Sequence, residues 1–252
     1  MKKLLEKGFI ISKTEFIAYL ECPFQFYLLK SLNKAKEQSK EPDYSNYEKF
    51  LQDGLKKHLW LQKFYENYGT EILNNNHPVL KEPDKKESWK QDFLDFEIKR
   101  YKQDTIFWKP IEVEYYLRND SLCGKIDRID QIDDQGNCRI VEYKSSPNMH
   151  DEAELLFYAF LLTSQLPIQE LPTISKVSEM GVYYYKHNEY YNTQITNEIL
   201  TSFGINLEEI RVKMMNPRSI KKNRDCDFTF KNCLYREICQ RIQINCQKII
   251  GL

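Results

Sequence analysis

The sequence predicts an α/β fold in which a mixed β-sheet is flanked by helices. Three observations lead to this prediction. Residues 13–67 carry apolar side chains at helical spacing, residues 111–145 form short β-rich runs in which apolar and polar side chains alternate, and residues 151–165 return to helical spacing. A run of strands enclosed by helices in this order is typical of a sheet covered by helices.

The first helix is predicted from about residue 13 to 31. Ser12 and Glu15 match a capping box, in which a hydroxyl and a carboxylate satisfy free backbone N–H groups at the start of a helix. Apolar residues at helical spacing predict a second helix over 44–67, and a third, charged helix is predicted over 85–104.

An antiparallel meander of three strands is predicted over residues 111–145. Its strands are expected at 111–116, 121–132 and 138–145, and the last two are joined by the turn DDQGN. The elements predicted after it are a helix at 151–165, a hairpin at 180–195 and helices at 197–215 and 234–248.

The charge composition excludes a strongly basic coat protein for nucleic acid. The 252 residues include 37 basic and 37 acidic side chains, so the formal net charge is zero. The uncharged stretch 155–169 is shorter than the ~20 apolar residues of a membrane-spanning helix. The N-terminal segment MKKLLEKGFII also lacks the unbroken apolar run of a signal peptide. We therefore expect a cytoplasmic protein without a transmembrane helix.

Two segments carry charged residues that ordinary packing does not require, GKIDRID at 124–130 and VEYKSS at 141–146. Glu142 and Lys144 are two residues apart, so they share one face of a strand. If Asp127 lies at the same end of the neighbouring strand, its carboxylate and that of Glu142 can hold Mg²⁺. Lys144 would then lie beside the metal and could position a nucleophile or stabilise charge on a phosphodiester. Cross-strand surface ion pairs are the alternative interpretation.

These motifs resemble the core motifs of RecB-like nucleases of the PD-(D/E)XK superfamily. The resemblance spans about residues 12–240 and includes the helix ELLFYAFLL after VEYK and the pattern G-x-x-x-H in DGLKKHLW, whose histidine is His58. It implies a restriction-endonuclease-like fold with a helical subdomain formed by the N- and C-terminal segments. It also implies a Mg²⁺- or Mn²⁺-dependent DNA nuclease, an exonuclease for single-stranded DNA or DNA ends in defence, recombination or repair.

The resemblance implies a role for individual residues. The implied metal ligands are His58, Asp127, Glu142 and the backbone carbonyl of Tyr143. The implied catalytic residues are Asp127, Glu142, Lys144, Glu154 and Tyr158, with Lys144 as the base or electrostatic stabiliser. The family commonly has glutamine at the position of Glu154, and a carboxylate there adds negative charge near a phosphate. This departure motivates an alternative, a catalytically weak DNA-binding or adaptor subunit, and a structural protein with coincidental motifs is a third interpretation.

The organisation expected from the resemblance is a single nuclease domain over residues 1–252. It comprises an N-terminal helical part over 1–105, a catalytic sheet core over 106–196 and C-terminal helices with a cysteine cluster over 197–252. No internal repeat with a period of 20–50 residues is evident in the sequence.

The position of His58 on the second predicted helix is compatible with a metal ligand or with a residue of the core. Leu51, Leu55 and Leu59 repeat at intervals of four and predict the inward face of this helix. His58 lies at the edge of that face, where it can border a cleft. As a neutral imidazole ligand with the ordinary pKa of ~6.5, it would lose a metal below that pH.

Four of the seven cysteines predict a metal or cluster site. One lies near the start of the chain and three near its end: Cys22, Cys226, Cys233 and Cys239. This order resembles the iron-sulfur subset of the same family, which includes CRISPR-associated RecB-like exonucleases and AddB-type helicase-nucleases, and it implies a [4Fe-4S] cluster. Zinc bound by the same thiolates and an empty site remain alternatives, because the gap between Cys226 and Cys233 is wider than the usual one.

A basic segment at 211–224, RVKMMNPRSIKKNR, is a candidate for contact with a phosphate backbone. Its candidate nucleic-acid-binding residues are Arg211, Lys213, Arg218, Lys221, Lys222 and Arg224. The tyrosines at 183–185 and 190–191 could stack against unpaired bases. A solvated helix end and tyrosines packed in a core are the alternative interpretation.

Overall fold

The structure is a computed structural model that describes residues 9–23, 26, 45–74 and 87–215. The chain divides into two compact units. The larger unit comprises Met1–Lys13 and Asp43–Leu207 and contains the sheet. The smaller unit comprises Thr14–Pro42 and Glu208–Leu252, which are the N- and C-terminal segments.

The described residues form helices at the positions where the sequence predicts them. The helices are α1 (Lys13–Glu21), α2 (Ser45–Leu73), α3 (Ser88–Gln103), α4 (Asp151–Thr163) and α5 (Asn197–Met215). The predicted helix at 234–248 lies outside the described residues, as does most of 22–31. Among the helices that the structure describes, none is long and apolar enough to cross a membrane.

Within the described residues, six strands form one mixed sheet. They are β1 (Ile11–Ser12), β2 (Glu112–Arg118), β3 (Leu122–Gln131), β4 (Asn137–Lys144), β5 (Lys176–Tyr184) and β6 (Glu189–Gln194). The strands β2, β3 and β4 form the predicted antiparallel meander, β4 and β5 are parallel, and β5 and β6 form the predicted hairpin. The short strand β1, which the sequence did not predict, pairs in parallel with the start of β3.

The strand β3 has one interrupted edge. The strand β2 pairs along one edge, from Cys123 to Ile129. The other edge is shared, because β1 pairs with Leu122 and Cys123 and β4 pairs only from Arg128 onwards. Residues 124–127 therefore form a gap between β1 and β4, and this gap contains the candidate site.

Aromatic side chains from α2 and α3 cover one face of the sheet. Phe93 is fully buried, and its ring centroid lies 5.6 Å from that of Tyr143 on β4 and 5.2 Å from that of Tyr183 on β5. Phe64 of α2 meets the Phe93 ring edge-to-face at 4.9 Å. Each such side chain contributes about 1.5–3 kcal/mol when it is fully removed from water, so this layer fixes the two helices against β4 and β5.

The helix α4 lies on the opposite face of the sheet. Glu142 and Lys144 alternate with Tyr143 along β4, and Lys144 contacts Glu154 of α4. The side chains of Leu155, Phe157 and other residues along α4 are buried. The predicted fold class is thus confirmed as a mixed sheet with helices on both faces.

The predicted inward face of α2 is wrong. The side chains of Leu55 and Leu59 are 68% and 51% exposed. Where the burial of α2 side chains is described, the buried hydrophobic residues are instead Leu61, Phe64, Tyr65 and Ile72. Aromatic residues of α2 occupy the contact with α3 and the sheet, and this orientation turns the two leucines towards solvent.

The proposed stacking role of the tyrosines is also largely wrong. Tyr183, Tyr184 and Tyr185 are buried, because β5 is covered on both sides. Tyr191 on the edge strand β6 is exposed, at 55%. The core interpretation therefore applies to the residues of β5, and Tyr191 alone of these residues presents most of its surface to solvent.

Candidate metal centre and active site

Three neighbouring strands place three carboxylates in one row. In the β2–β3 pairing, Val113 lies opposite Arg128 and Tyr115 opposite Ile126, so Glu114 lies opposite Asp127. The β3–β4 pairing ends with Arg128 opposite Val141, so the next residues in register are Asp127 and Glu142. Glu114 has a left-handed backbone with a φ of 54°, and its regular pairing is lost. The row is therefore Glu114, Asp127 and Glu142.

The carboxylates of Asp127 and Glu142 are held between the strands. The backbone N–H of Tyr143 donates to Oδ2 of Asp127 at 2.8 Å, and the backbone N–H of Asp127 donates to Oε1 of Glu142 at 3.3 Å. Side-chain oxygens thus accept from the backbone at the point where regular strand pairing stops. Both carboxylates are buried, and their positions are fixed by the two strands.

The helix α2 brings His58 to this row. Its Nδ1 lies 3.3 Å from Oδ1 of Asp127 and 3.5 Å from Oε1 of Glu114. One ligand atom from each of the three residues lies within 4.8 Å of the others. In the part of the chain that the structure describes, this is the group of His, Cys, Asp and Glu side chains that could hold a metal ion, and Glu142 lies outside it.

Sequence reasoning identified His58 and Asp127 but missed Glu114. The segment EVEYYLR reads as an ordinary amphipathic strand, because acidic residues alternate with apolar ones. The register between β2 and β3 is what places Glu114 opposite Asp127. Tyr143, proposed as a ligand through its carbonyl, adjoins Asp127 through its backbone N–H.

The donor set suits a divalent cation. Carboxylate oxygens are preferred by Mg²⁺, and an added imidazole suits ions such as Mn²⁺. Burial lowers the pKa of His58, but the carboxylates of Asp127 and Glu114 outweigh it and raise the pKa to about 10. The imidazolium thus occupies, between two carboxylates, a place where positive charge is favoured, which fits a cation site.

The pKa of Glu142 is raised well above its usual range. Burial is the main cause, and the nearby carboxylates of Asp127 and Glu154 act in the same direction. Lys144 and Lys13 oppose the shift without overcoming it. Burial and the neighbouring carboxylates thus disfavour the ionised form of Glu142, and a cation added beside it would favour that form.

Lys144 contacts the helix that follows its strand. Its Nζ pairs with Oε2 of Glu154, which lies in the acidic first turn of α4, where the helix dipole favours negative charge. Burial opposes the charge of Lys144, but Glu154 and Glu142 prevail and raise its pKa. Lys144 is thus a charged donor beside the carboxylate row.

Tyr158 packs against the gap in β3. A Cβ atom added at Gly124 would lie 2.6 Å from Cε1 of the Tyr158 ring, so only glycine leaves room for the ring at this position. Burial raises the pKa of the Tyr158 hydroxyl, and the carboxylates of Glu142 and Glu154 raise it further. The hydroxyl therefore stays protonated and can donate a hydrogen bond.

A comparison with protein families matches residues 10–240 to the PD-(D/E)XK nuclease superfamily. The match covers most of the chain and includes all the residues of the carboxylate row. The chain belongs to this superfamily.

A search of solved structures finds a similar chain for this PD-(D/E)XK protein. The crystal structure of a proposed exonuclease from Eubacterium rectale matches with 12% sequence identity and a TM-score of 0.44, covering 86% of each chain. A comparison with curated proteins finds no match. Membership of the superfamily and the mixed sheet flanked by helices confirm the broad resemblance predicted from the sequence, whereas the RecB-like and iron-sulfur subset stays a prediction.

A network of buried ionic groups lies on the face of β3 opposite Asp127. In this PD-(D/E)XK protein its charged members are Glu97, Arg100, Arg128 and Asp130. The fully buried Arg128 donates from Nη1 to Oε1 of Glu97 at 2.9 Å, and its Nη2 lies 3.0 Å from Oδ2 of Asp130. Arg100 donates to the same two carboxylates at 2.7 and 3.0 Å. Two arginines and two carboxylates thus balance one another.

Tyr143 connects this network to the carboxylate row. Its hydroxyl accepts a hydrogen bond from Nη1 of Arg128 at 3.2 Å, while its backbone N–H donates to Asp127. Nη1 of Arg128 also donates to the hydroxyl of Tyr65 on α2 at 2.8 Å. The middle residue of the E-x-K motif is therefore fixed from both faces of the sheet.

Other predicted site residues lie partly or wholly outside the described residues. Arg211 pairs with Glu208 one turn earlier on α5, with Nε at 2.6 Å from Oε2, and Nζ of Lys213 lies 4.0 Å from Glu209. The predicted residues outside the described part are Arg218, Lys221, Lys222, Arg224, Cys226, Cys233 and Cys239. Cys22 is described as a partly exposed free thiol. The nucleic-acid contacts and the four-thiolate site stay predictions.

Proposed function

We propose that this PD-(D/E)XK protein is a metal-dependent DNA nuclease of the RecB-like group. The observation that carries the proposal is the group formed by the imidazole of His58 with the carboxylates of Glu114 on β2 and Asp127 on β3. The Glu142 carboxylate of β4 lies beside Asp127, and Lys144 follows on the same strand. A purely structural ion cluster has no need of neighbouring carboxylates with opposite pKa shifts, yet the pKa of Glu142 is raised and that of Glu114 is lowered. Such clusters are typical of functional sites.

His58, Glu114 and Asp127 are the residues that would hold the cation, with Glu142 beside them. A divalent cation bound there supplies positive charge beside a phosphodiester and activates water as a nucleophile at neutral pH. Lys144 would donate to a phosphate oxygen and stabilise the charge that develops on it. The protonated hydroxyl of Tyr158 provides a further donor near the gap in β3.

We further propose that the enzyme is an exonuclease for single-stranded DNA or DNA ends, within defence, recombination or repair. The motifs GKIDRID and VEYK, and their resemblance to RecB-like nucleases, support this part of the proposal. The zero net charge also disfavours tight binding to any duplex without selection of ends or strands.

A second candidate function is a DNA-binding or adaptor subunit with weak catalysis. Glu154 favours this function, because its carboxylate would repel a phosphate. The ion pairs of Glu154 with Lys13 and Lys144 oppose this argument, since they neutralise the carboxylate. We therefore favour the active nuclease.

The test is cleavage of end-labelled linear and circular single-stranded DNA by purified protein with Mg²⁺ or Mn²⁺. We expect the linear strand to be degraded, the circular strand to survive and a chelator to stop the reaction. Glu142→Gln should abolish cleavage, whereas the control Glu66→Gln, at an exposed position of α2, should not. DNA binding without cleavage under either ion would favour the adaptor function.

We also propose that Cys22, Cys226, Cys233 and Cys239 bind a [4Fe-4S] cluster, on the basis of the resemblance. Anaerobically purified protein should then be brown and contain about four irons per chain. Cys233→Ala should lose the colour. Stoichiometric zinc in colourless protein would support the zinc alternative, and neither metal would support an empty site.

A further inference from the structure

Lys13 lies next to the gap in β3 although it is far from the site in sequence. It follows β1 directly, and β1 ends with Ser12 paired to Cys123, just before the gap. The Nζ of Lys13 pairs with Oε1 of Glu154 and lies 5.9 Å from the ring centroid of Tyr158. Lys13 therefore contacts two residues one turn apart on α4, both of which face the site.

One carboxylate is shared by two lysines. Lys13 pairs with Oε1 of Glu154 and Lys144 pairs with Oε2. The Glu154 side chain is 6% exposed, whereas those of Lys13 and Lys144 are 26% and 21% exposed. A single carboxylate neutralises one positive charge, so the two lysines compete for the same partner.

Competition of this kind weakens the attachment of each lysine. A partly buried carboxylate with one lysine as its only cation would hold that lysine strongly, because charges interact more strongly away from water. A second cation on the other oxygen divides this attraction. Lys144 can then move from Glu154 towards a phosphate at a lower cost than it could from an unshared pair.

We propose that Lys13 is a positioning residue of the nuclease site, which leaves Lys144 available to the phosphate by competing with it for Glu154. This inference rests on the proposed nuclease function. It explains how the chain accommodates a carboxylate at the position where resembling nucleases have glutamine. With glutamine, Lys144 would face a neutral partner and no competing cation would be needed.

The test compares four proteins: wild type, Lys13→Met, Glu154→Gln and the double variant. In the wild-type background, Lys13→Met should lower kcat about 10–100-fold and change KM by less than about threefold, since the loss concerns a contact made in the transition state. In the Glu154→Gln background the same change should lower kcat less than about threefold, because the carboxylate that pairs with both lysines is gone. Lys13→Arg should retain most of the activity.

The control is Lys90→Met, which removes the α3 lysine that pairs with Glu87, away from the site, and should leave kcat unchanged. Equal losses from Lys13→Met in both backgrounds would show that Lys13 acts on the substrate directly and would overturn the inference. No loss in the wild-type background would also overturn it.

Thermal unfolding of the same four proteins separates this inference from the proposed function. Lys13→Met should lower Tm by about 3 °C in the wild-type background and by less than about 1 °C in the Glu154→Gln background, because the ion pair exists only in the former. If the wild-type protein fails to cleave DNA with Mg²⁺ and also with Mn²⁺, the proposed nuclease function is overturned. Equal Tm shifts in both backgrounds would overturn the coupling of Lys13 to Glu154.

Discussion

The two faces of the β3–β4 pair both carry buried charges, but they balance them with different cations. On the face opposite Asp127, Arg100 and Arg128 pair with Glu97 and Asp130. On the site face, the cations are an imidazole and lysines: His58, Lys13, Lys125 and Lys144. Adjacent residues of a strand point to opposite faces, so Asp127 and Arg128 belong to different sets.

The two sets of cations differ in how readily they lose a proton or exchange a carboxylate partner. An arginine side chain keeps its proton and holds carboxylates through several fixed N–H groups, which suits a permanent support. Histidine can lose its proton to a competing metal, and a lysine on a flexible stem can change partner. The arginine face therefore fixes the strands, and the histidine and lysine face leaves its carboxylates available to a metal and a substrate.

The largest expected effect comes from comparing Asp127→Asn with Asp130→Asn, since both lie on β3 but on opposite faces. Asp127→Asn should lower cleavage about 10⁴-fold, or ~5 kcal/mol of transition-state stabilisation. Its loss of stability should be smaller than that of Asp130→Asn, because the amide oxygen can still accept the hydrogen bond from the backbone N–H of Tyr143. Asp130→Asn should cost stability, because it leaves buried arginine charge without its partner. Steady-state kinetics and urea denaturation measure the two effects. Parallel losses of activity and stability in both variants would contradict the division between the faces.

The second prediction compares the loss of stability on removal of Arg128 and of Lys144, one cation from each face. Arg128→Met should lower the unfolding free energy by about 3–5 kcal/mol, because Glu97 and Asp130 lose a fully buried partner. Lys144→Met should lower it by about 1 kcal/mol or less, because Lys144 is partly exposed. Urea denaturation of both variants is the measurement. A loss for Lys144→Met as large as that for Arg128→Met would place Lys144 in a structural network.

A third prediction compares two glycines. Gly124→Ala should destabilise the protein by about 1–3 kcal/mol, because the new Cβ would overlap the ring of Tyr158. Gly54→Ala should be neutral or stabilise by up to about 1 kcal/mol, because a Cβ there has nothing within 4 Å and the residue lies in a helix. Thermal unfolding measures both. If Gly54→Ala is destabilised while Gly124→Ala is as stable as wild type, the close packing of Tyr158 against Gly124 is contradicted.

A fourth prediction concerns the pH dependence of metal affinity. Burial lowers the pKa of His58, but Asp127 and Glu114 outweigh burial and raise the pKa to about 10. A proton therefore competes with the metal for His58 up to about pH 10, rather than only below the pH of ~6.5 expected for an ordinary histidine. Mn²⁺ must displace this proton, and its affinity should rise by up to about tenfold per pH unit below pH 10. In metal-free protein, His58 stabilises the fold fully below pH ~6.5 and progressively less towards pH 10.

Calorimetric titration with Mn²⁺ at pH 6.5, 7.5 and 8.5 would measure this slope. His58→Gln should bind Mn²⁺ more weakly and with a smaller pH dependence, while His187→Gln, at an exposed turn, should behave like wild type. The same slope in His58→Gln and wild type would show that another group carries the proton.

The fold was predictable from the sequence because its strands have simple periodicity. Alternation in GKIDRID and VEYK placed Asp127, Glu142 and Lys144 on neighbouring strands, and the structure brings them together at one edge. The face of α2 was not predictable from its leucines, because the packed aromatic residues, rather than the leucines, determine which side is buried.

Two site residues escaped sequence reasoning for a different reason. Glu114 depends on the register between β2 and β3, and Lys13 depends on a parallel pairing of only two residues, Ile11 and Ser12, with β3. Nothing local in the sequence links either residue to Glu154 or Asp127. Local sequence patterns therefore miss the site residues that strand register brings together from distant parts of the chain.

The most direct test of a cation site at the carboxylate row is anomalous diffraction from a crystal soaked in Mn²⁺. We expect one anomalous peak at about 2.1 Å from a nitrogen of His58 and from carboxylate oxygens of Glu114 and Asp127. Glu114→Gln, soaked under the same conditions, should show a weaker peak. A peak held by Asp127 and Glu142 without Glu114, or no peak at this row, would contradict the account.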